Sequence, residues 1–123
     1  MPYVPKLLTL FKILLRRRDQ RRAEALWYEG TWLNDQGETG DARMAFRHSV
    51  LLDPEFAGAR YNYAALTEKL TGRSEETLAA WDAYLEVAPS DMRQPRETVE
   101  RVRGHVTGLK RELRPGEEGR KPE

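Results

Sequence analysis

The chain has no cysteine among its 123 residues, so disulfides, thiolate chemistry and cysteine-ligated zinc are excluded. It carries only two histidines, His48 and His105. Neither has a second histidine or an acid at metal-ligand spacing along the chain. There is no glycine-rich phosphate loop and no nucleophile elbow. Ser49 adjoins His48 but points to a different helical face. The acidic pairs Glu75-Glu76 and Glu117-Glu118 read as solvated surface. Catalysis is therefore not expected, and neither a metal nor another cofactor is called for.

Long apolar runs are missing too. No stretch approaches the roughly 20 residues of a membrane-spanning helix. The longest candidate, Leu7–Leu15, contains Thr9 and Lys12 and would reach only ~14 Å. It makes a poor secretory signal, because its strongest positive charge follows the apolar part and no small-residue cleavage site comes after it. The chain also lacks a strong overall charge. Its formal net charge is +1, which names no partner.

What is present is a charged, helix-friendly composition. Charged residues make up 33% and hydrophobic ones 39%, a mix that suits amphipathic helices with wet outer faces. The length points to one domain. The charge is unevenly placed. Residues 1–22 hold seven basic residues against one acid, Asp19, a net +6 that leaves −5 for the remainder of a +1 chain.

Two segments of the chain align. One runs from Ala23 to Pro54 and the other from Ala57 to Pro89. Each opens on aromatics (Trp27-Tyr28; Tyr61 and Tyr63), followed by a small residue, Gly30 or Ala64. A glycine then breaks each segment, Gly37 or Gly72. A second apolar run carries Phe46 or Trp81, and proline closes each copy. The apolar residues recur at spacings of three and four, as helices require. Gly37 and Gly72 sit where a helix must stop. Thr39 and Ser74 are the expected N-caps of the second helix in each pair. Asp53-Pro54 reads as N-cap and first helical position, and Asp91 with Gln94 as a capping box for one more helix.

On these residues the sequence resembles the tetratricopeptide repeat family, a helix–turn–helix unit of about 34 residues. Gly30, Ala42, Phe46, Ser49 and Pro54 fall at the family's signature positions. With one extra residue in the turn near Thr71, so do Ala64, Trp81 and Pro89. Thr77 and Tyr84 depart from the pattern, which prefers alanine there, and imply a looser or shifted second pair. The resemblance implies an all-α fold of two repeats, residues 23–56 and 57–90 within a 23–91 array. It also implies a concave groove that binds a peptide or helix of a partner protein. The implied groove residues are Trp27, Tyr28, Thr31 and Asn34 in the first repeat, and Tyr61, Asn62, Ala65 and Lys69 in the second. Glu24, Asp35 and Glu68 extend that face. Trp27, Tyr61 and Tyr63 could equally be core. A carboxylate clamp of the kind some family members use is not expected, because Trp27 and Thr31 stand where it needs Lys and Asn.

Two repeats leave apolar surface to cover. In residues 92–113, Val99, Val102, Val106, Leu109 and Leu113 form one stripe, expected to be a capping helix. A partner-docking helix is the other reading. Residues 114–123, polar and rich in Pro and Gly, read as a disordered tail. Residues 1–22 read as a separate basic, amphipathic helix. Val4, Leu7, Leu8, Phe11, Leu14 and Leu15 share one face, widened by Leu10 and Ile13. Lys6, Thr9, Lys12 and Arg16 mark the other, and Arg17, Arg18, Arg21 and Arg22 follow. Several readings of this leader stay open. It could cap the first repeat, dock on a membrane surface or membrane-protein partner through Leu7–Leu15 and Arg16–Arg18, or join copies of the chain. Nucleic-acid binding is disfavoured, because the arginine run is short, lacks interleaved aromatics and sits on an acidic body. The function expected from the sequence is a non-catalytic adaptor or scaffold, cytoplasmic or peripheral at a membrane. The alternative is a structural accessory subunit of a larger complex docked through its N-terminal helix.

Overall fold

The computed structural model describes residues 4–116, and every regular element in that span is helical. Five α-helices follow one another: α1 Val4–Asp35, α2 Thr39–Leu52, α3 Ala57–Thr71, α4 Glu75–Val87 and α5 Arg96–Leu113, with a short 3₁₀ turn at Ala88–Ser90. Helices α1 and α2 form one antiparallel hairpin and α3 and α4 a second, with α2 packed on α3 and α5 packed on α4. The tail expected at 114–123 falls largely outside the described residues.

The division expected at residue 22 has no counterpart in the backbone. Helix α1 runs unbroken through it for 32 residues. Between Pro5 and Gly30 the sequence has no glycine or proline. The stretch Arg16–Leu26 consists mostly of strong helix formers.

Helix α1 ends in a Schellman motif. Gly37 adopts φ 80°. Its N–H donates to the Asn34 carbonyl at 3.0 Å, and the Glu38 N–H donates to the Leu33 carbonyl at 2.9 Å. A side chain with a Cβ is disfavoured at that φ, which is why glycine stands there. Gly72, at φ 72°, ends α3.

Three capping expectations need correction. Thr39 is the first residue of α2 rather than its cap. The Schellman turn leaves Glu38 in the cap position, without a side-chain hydrogen bond. Asp53 closes α2 instead of opening α3, donating its N–H to the Ser49 carbonyl at 2.9 Å. Its Oδ1 accepts from the Glu55 N–H at 3.2 Å, so Asp53–Phe56 is a turn and α3 begins only at Ala57. Asp91 and Gln94 form no capping box. Pro95 disfavours helical backbone at Gln94, and α5 starts at Arg96. Ser74 does cap α4, its Oγ accepting from the Thr77 N–H at 3.2 Å.

The two hairpins close around matching small-against-large contacts. In the first, Gly30 faces Phe46. A Cβ added at Gly30 would lie 2.8 Å from the Phe46 ring, so only glycine allows this approach. The Ser49 Oγ donates to the Ala23 carbonyl at 2.6 Å, deep inside the hairpin. In the second, Ala64 is buried against a cluster that includes Leu78, Trp81 and Tyr84.

Thr77 and Tyr84, the residues that depart from the repeat pattern, are accommodated inside this pair. Both are fully buried. The Thr77 hydroxyl donates to the Gly72 carbonyl at 2.6 Å, and Tyr84 donates to the Gln94 side-chain carbonyl at 2.8 Å.

Arg43 ties α2 to its neighbours. Its Nε donates to the Thr67 hydroxyl at 3.0 Å, and its guanidinium lies 5.2 Å from the Tyr63 ring centroid. Helix α5 covers the second hairpin as its apolar stripe predicts, with Val99, Val102, Val106 and Leu109 buried. Gly104 and Gly108 cost that helix about 1 kcal/mol each relative to alanine. The buried valine and leucine stripe offsets this. Exposed ion pairs Arg73–Glu112 at 2.6 Å and Arg114–Glu75 at 3.0 Å add little at such positions.

Candidate functional site

The expected groove residues do not share one environment. On α1, Tyr28 is 60% exposed and Asn34 is exposed, whereas Trp27 and Thr31 are half-buried. Thr31 spends its hydroxyl on the Trp27 carbonyl at 2.9 Å, one turn back on the same helix. On α3, Lys69 is exposed and Asn62 half-buried.

Tyr61 and Ala65 pack against the core of the second hairpin. The Tyr61 ring meets Trp81 and Tyr84 edge-on at 5.2 and 5.3 Å, and its hydroxyl accepts from Arg101 of α5 at 2.9 Å. Glu68 is engaged as well. Its carboxylate accepts from Trp81 Nε1 at 3.1 Å and lies 2.8 Å from His105 Nε2. Helix α5 therefore closes the α3 half of the expected groove, and Tyr61 is a packing residue there.

The open half is a cleft of about 560 Å³. Helix α1 supplies Gln20, Glu24, Trp27 and Tyr28. The α2–α3 turn and the start of α3 add Asp53, Phe56 and Gly58. The segment before α5 adds Asp91, Arg93 and Gln94. The aromatics stack into its wall, with Trp27 edge-on to Tyr28 at 5.0 Å and tilted against Phe56 at 6.1 Å. The Trp27 Nε1 is buried and has no hydrogen-bond partner among the described residues. Such a donor costs about 1–3 kcal/mol of desolvation while it stays unpaired.

The cleft is lined by three carboxylates and one guanidinium. Arg93 hydrogen-bonds Asp91 through its side chain at 3.2 Å and its backbone N–H at 2.9 Å. Those bonds hold the Asp91 carboxyl below the usual carboxylate range. Asp91 and Arg93 largely cancel, which leaves Glu24 and Asp53 as the net charge of the cleft.

Sequence reasoning missed Phe56, Asp91, Arg93 and Gln94 because they come from turns distant in the chain. The only local signal was the turn chemistry itself, Asp-Pro at 53–54 and Asp followed by Pro95.

Of the readings open for the N-terminal part of α1, the cap is the one its exposure disagrees with. As a cap of the first hairpin it would bury its apolar face. Instead Leu7, Leu8, Leu10, Phe11, Ile13, Leu14 and Leu15 are all 41–63% exposed. The helix projects past the body and first meets it near Lys12–Asp19, where Arg16 pairs with Glu55 at 3.0 Å. Trp32, at the other end of α1, is 61% exposed. The side chain of Val4, assigned to the same apolar face, lies outside the described residues.

Among the described residues no three acidic or histidine side chains are placed to hold a metal ion. No helix there is long and apolar enough to cross a membrane. Compared with known proteins, the chain matches no family model, no curated sequence and no solved structure.

Proposed function

We propose that the chain is a non-catalytic protein-binding module, an adaptor or scaffold built on two tetratricopeptide-like hairpins, and that it takes a peptide or helix in the α1 cleft. One observation carries this reading: an open cleft whose wall is built from the packed rings of Trp27, Tyr28 and Phe56, with Tyr28 exposed. Aromatic anchors bury large area at low entropic cost. An apolar or aromatic partner group would pack on the exposed Tyr28 ring. Glu24 and Asp53 favour a basic side chain beside it. The tetratricopeptide-like assignment is supported by the glycine–phenylalanine contact at Gly30 and the buried small residues Ala42 and Ser49.

Tyr28 is the residue to change. Its ring is exposed, whereas Trp27 and Tyr61 help hold the fold. Tyr28→Ala is expected to melt like the wild type and to retain its protein partner about tenfold less well in co-purification from the source cells. Undiminished capture by a normally folded Tyr28→Ala variant would remove the cleft from the function.

The alternative, a structural accessory subunit of a larger assembly, draws on the exposed apolar segment at residues 7–15. Such a subunit aggregates or unfolds in part when expressed alone. An adaptor melts cooperatively by itself.

A further inference from the structure

The apolar projection of α1 has a direction. At about 100° per residue, Leu7, Phe11, Leu14, Arg18, Arg21 and Trp32 follow one line along the helix, and all six are exposed. The opposite line carries Lys12, Arg16 and Asp19, which face the α2–α3 turn, and then Ala23, buried against α2. The body of the protein therefore sits on one side of α1, and the apolar arc faces away from it. We propose that this outward face of α1 lies in the surface of an anionic lipid bilayer, with the helix parallel to the membrane and the two hairpins on the water side.

Charge, width and length together select this occupant. Exposed Arg17, Arg18, Arg21 and Arg22 follow the apolar turns directly, at the level where anionic headgroups meet a helix lying in the interface. The arc from Leu10 through Leu7 to Leu8 covers about 160° of the helix, wider than the single stripe a helix-binding groove usually takes. Ile13 lies beyond it, and the stems of Lys6 and Lys12 are long enough to lift their charges out of the apolar layer. The segment Val4–Leu15 is about 18 Å long. That is too short to cross a hydrocarbon core of about 30 Å but enough to lie in its surface. Trp32 places an amphipathic aromatic at the far end of the same face, where interfacial membranes favour it. A second copy fits worse, since each brings seven basic residues against Asp19 alone over residues 1–22, a net +6.

The test is flotation of the full chain with phosphatidylcholine vesicles, with and without phosphatidylserine. The chain is expected to float with the anionic vesicles and to stay behind with the neutral ones. Phe11→Glu with Leu14→Glu is expected to abolish flotation. Both side chains are exposed, so an unchanged melting curve shows the body is intact. Replacing Arg17, Arg18, Arg21 and Arg22 by glutamine is expected to weaken binding on the order of a thousandfold. Three results would overturn the proposal. The first is a wild-type chain that ignores anionic vesicles. The second is a Phe11→Glu, Leu14→Glu variant that floats as well as the wild type. The third is a stable dimer in sedimentation that the same variant splits into monomers, which would give this face to a second copy.

Discussion

Tyr84→Ala is expected to lower the unfolding free energy by about 3–5 kcal/mol, the range for emptying a large aromatic site. The side chain is fully buried and meets Tyr61 and Trp81 edge-on at 5.3 and 6.1 Å. Its loss opens a cavity between α3, α4 and the turn leading to α5, and it strands Gln94, which accepts the Tyr84 hydroxyl at 2.8 Å. Small domains have about 5–15 kcal/mol of stability in all, so the variant should sit at the edge of folding. Tyr84→Phe separates the two contributions. It keeps the ring and removes only the hydrogen bond, for an expected loss of about 1 kcal/mol. Urea unfolding of both variants checks this. Comparable small losses for both would mean that the second hairpin is loose, as its departure from the repeat pattern suggested.

Gly30→Leu is the second severe change. In an isolated helix leucine outranks glycine by almost 1 kcal/mol, so helix propensity alone predicts stabilisation. The packing reverses the sign. A Cβ at position 30 meets three atoms of the Phe46 ring at 2.8–3.0 Å, and that ring is itself buried. Overpacking of this kind costs about 1–3 kcal/mol or more, and the further carbons of leucine enlarge the clash. The expected net result is a loss of about 2 kcal/mol or more. Combining Gly30→Leu with Phe46→Ala is expected to cost less than the sum of the two single changes, because the new side chain fills space the ring vacates. Strict additivity would show that the two residues do not share one packing site.

The helical elements were legible wherever sequence and backbone obey the same local rule. Gly37 and Gly72 end helices because the chain needs a positive φ at both places. The Val99–Leu109 stripe is buried because its period matches the helix. The caps at Thr39 and Asp53 were misread because a Schellman turn and an Asx turn took those positions, and each depends on backbone bonds a residue list does not display. The expected groove residues are split between two environments for a tertiary reason. Tyr28 is open, but Tyr61 was claimed by α5, whose approach is fixed by contacts such as Arg101 with Tyr61 and His105 with Glu68. The carboxylates that line the cleft, Glu24, Asp53 and Asp91, come from three separate stretches of chain, so no local pattern announced them. The leader's amphipathicity was plain in sequence. Its direction became visible only with Ala23 and Arg16 placed against the body.

The central claim, that the α1 cleft receives another protein, is tested most directly by photo-crosslinking in the source cells. A photoreactive amino acid replaces Tyr28 in the cleft and, separately, exposed His48 outside it. The account predicts one dominant protein adduct at position 28, absent at position 48. Equal labelling from both positions, or no protein adduct at position 28, would contradict it.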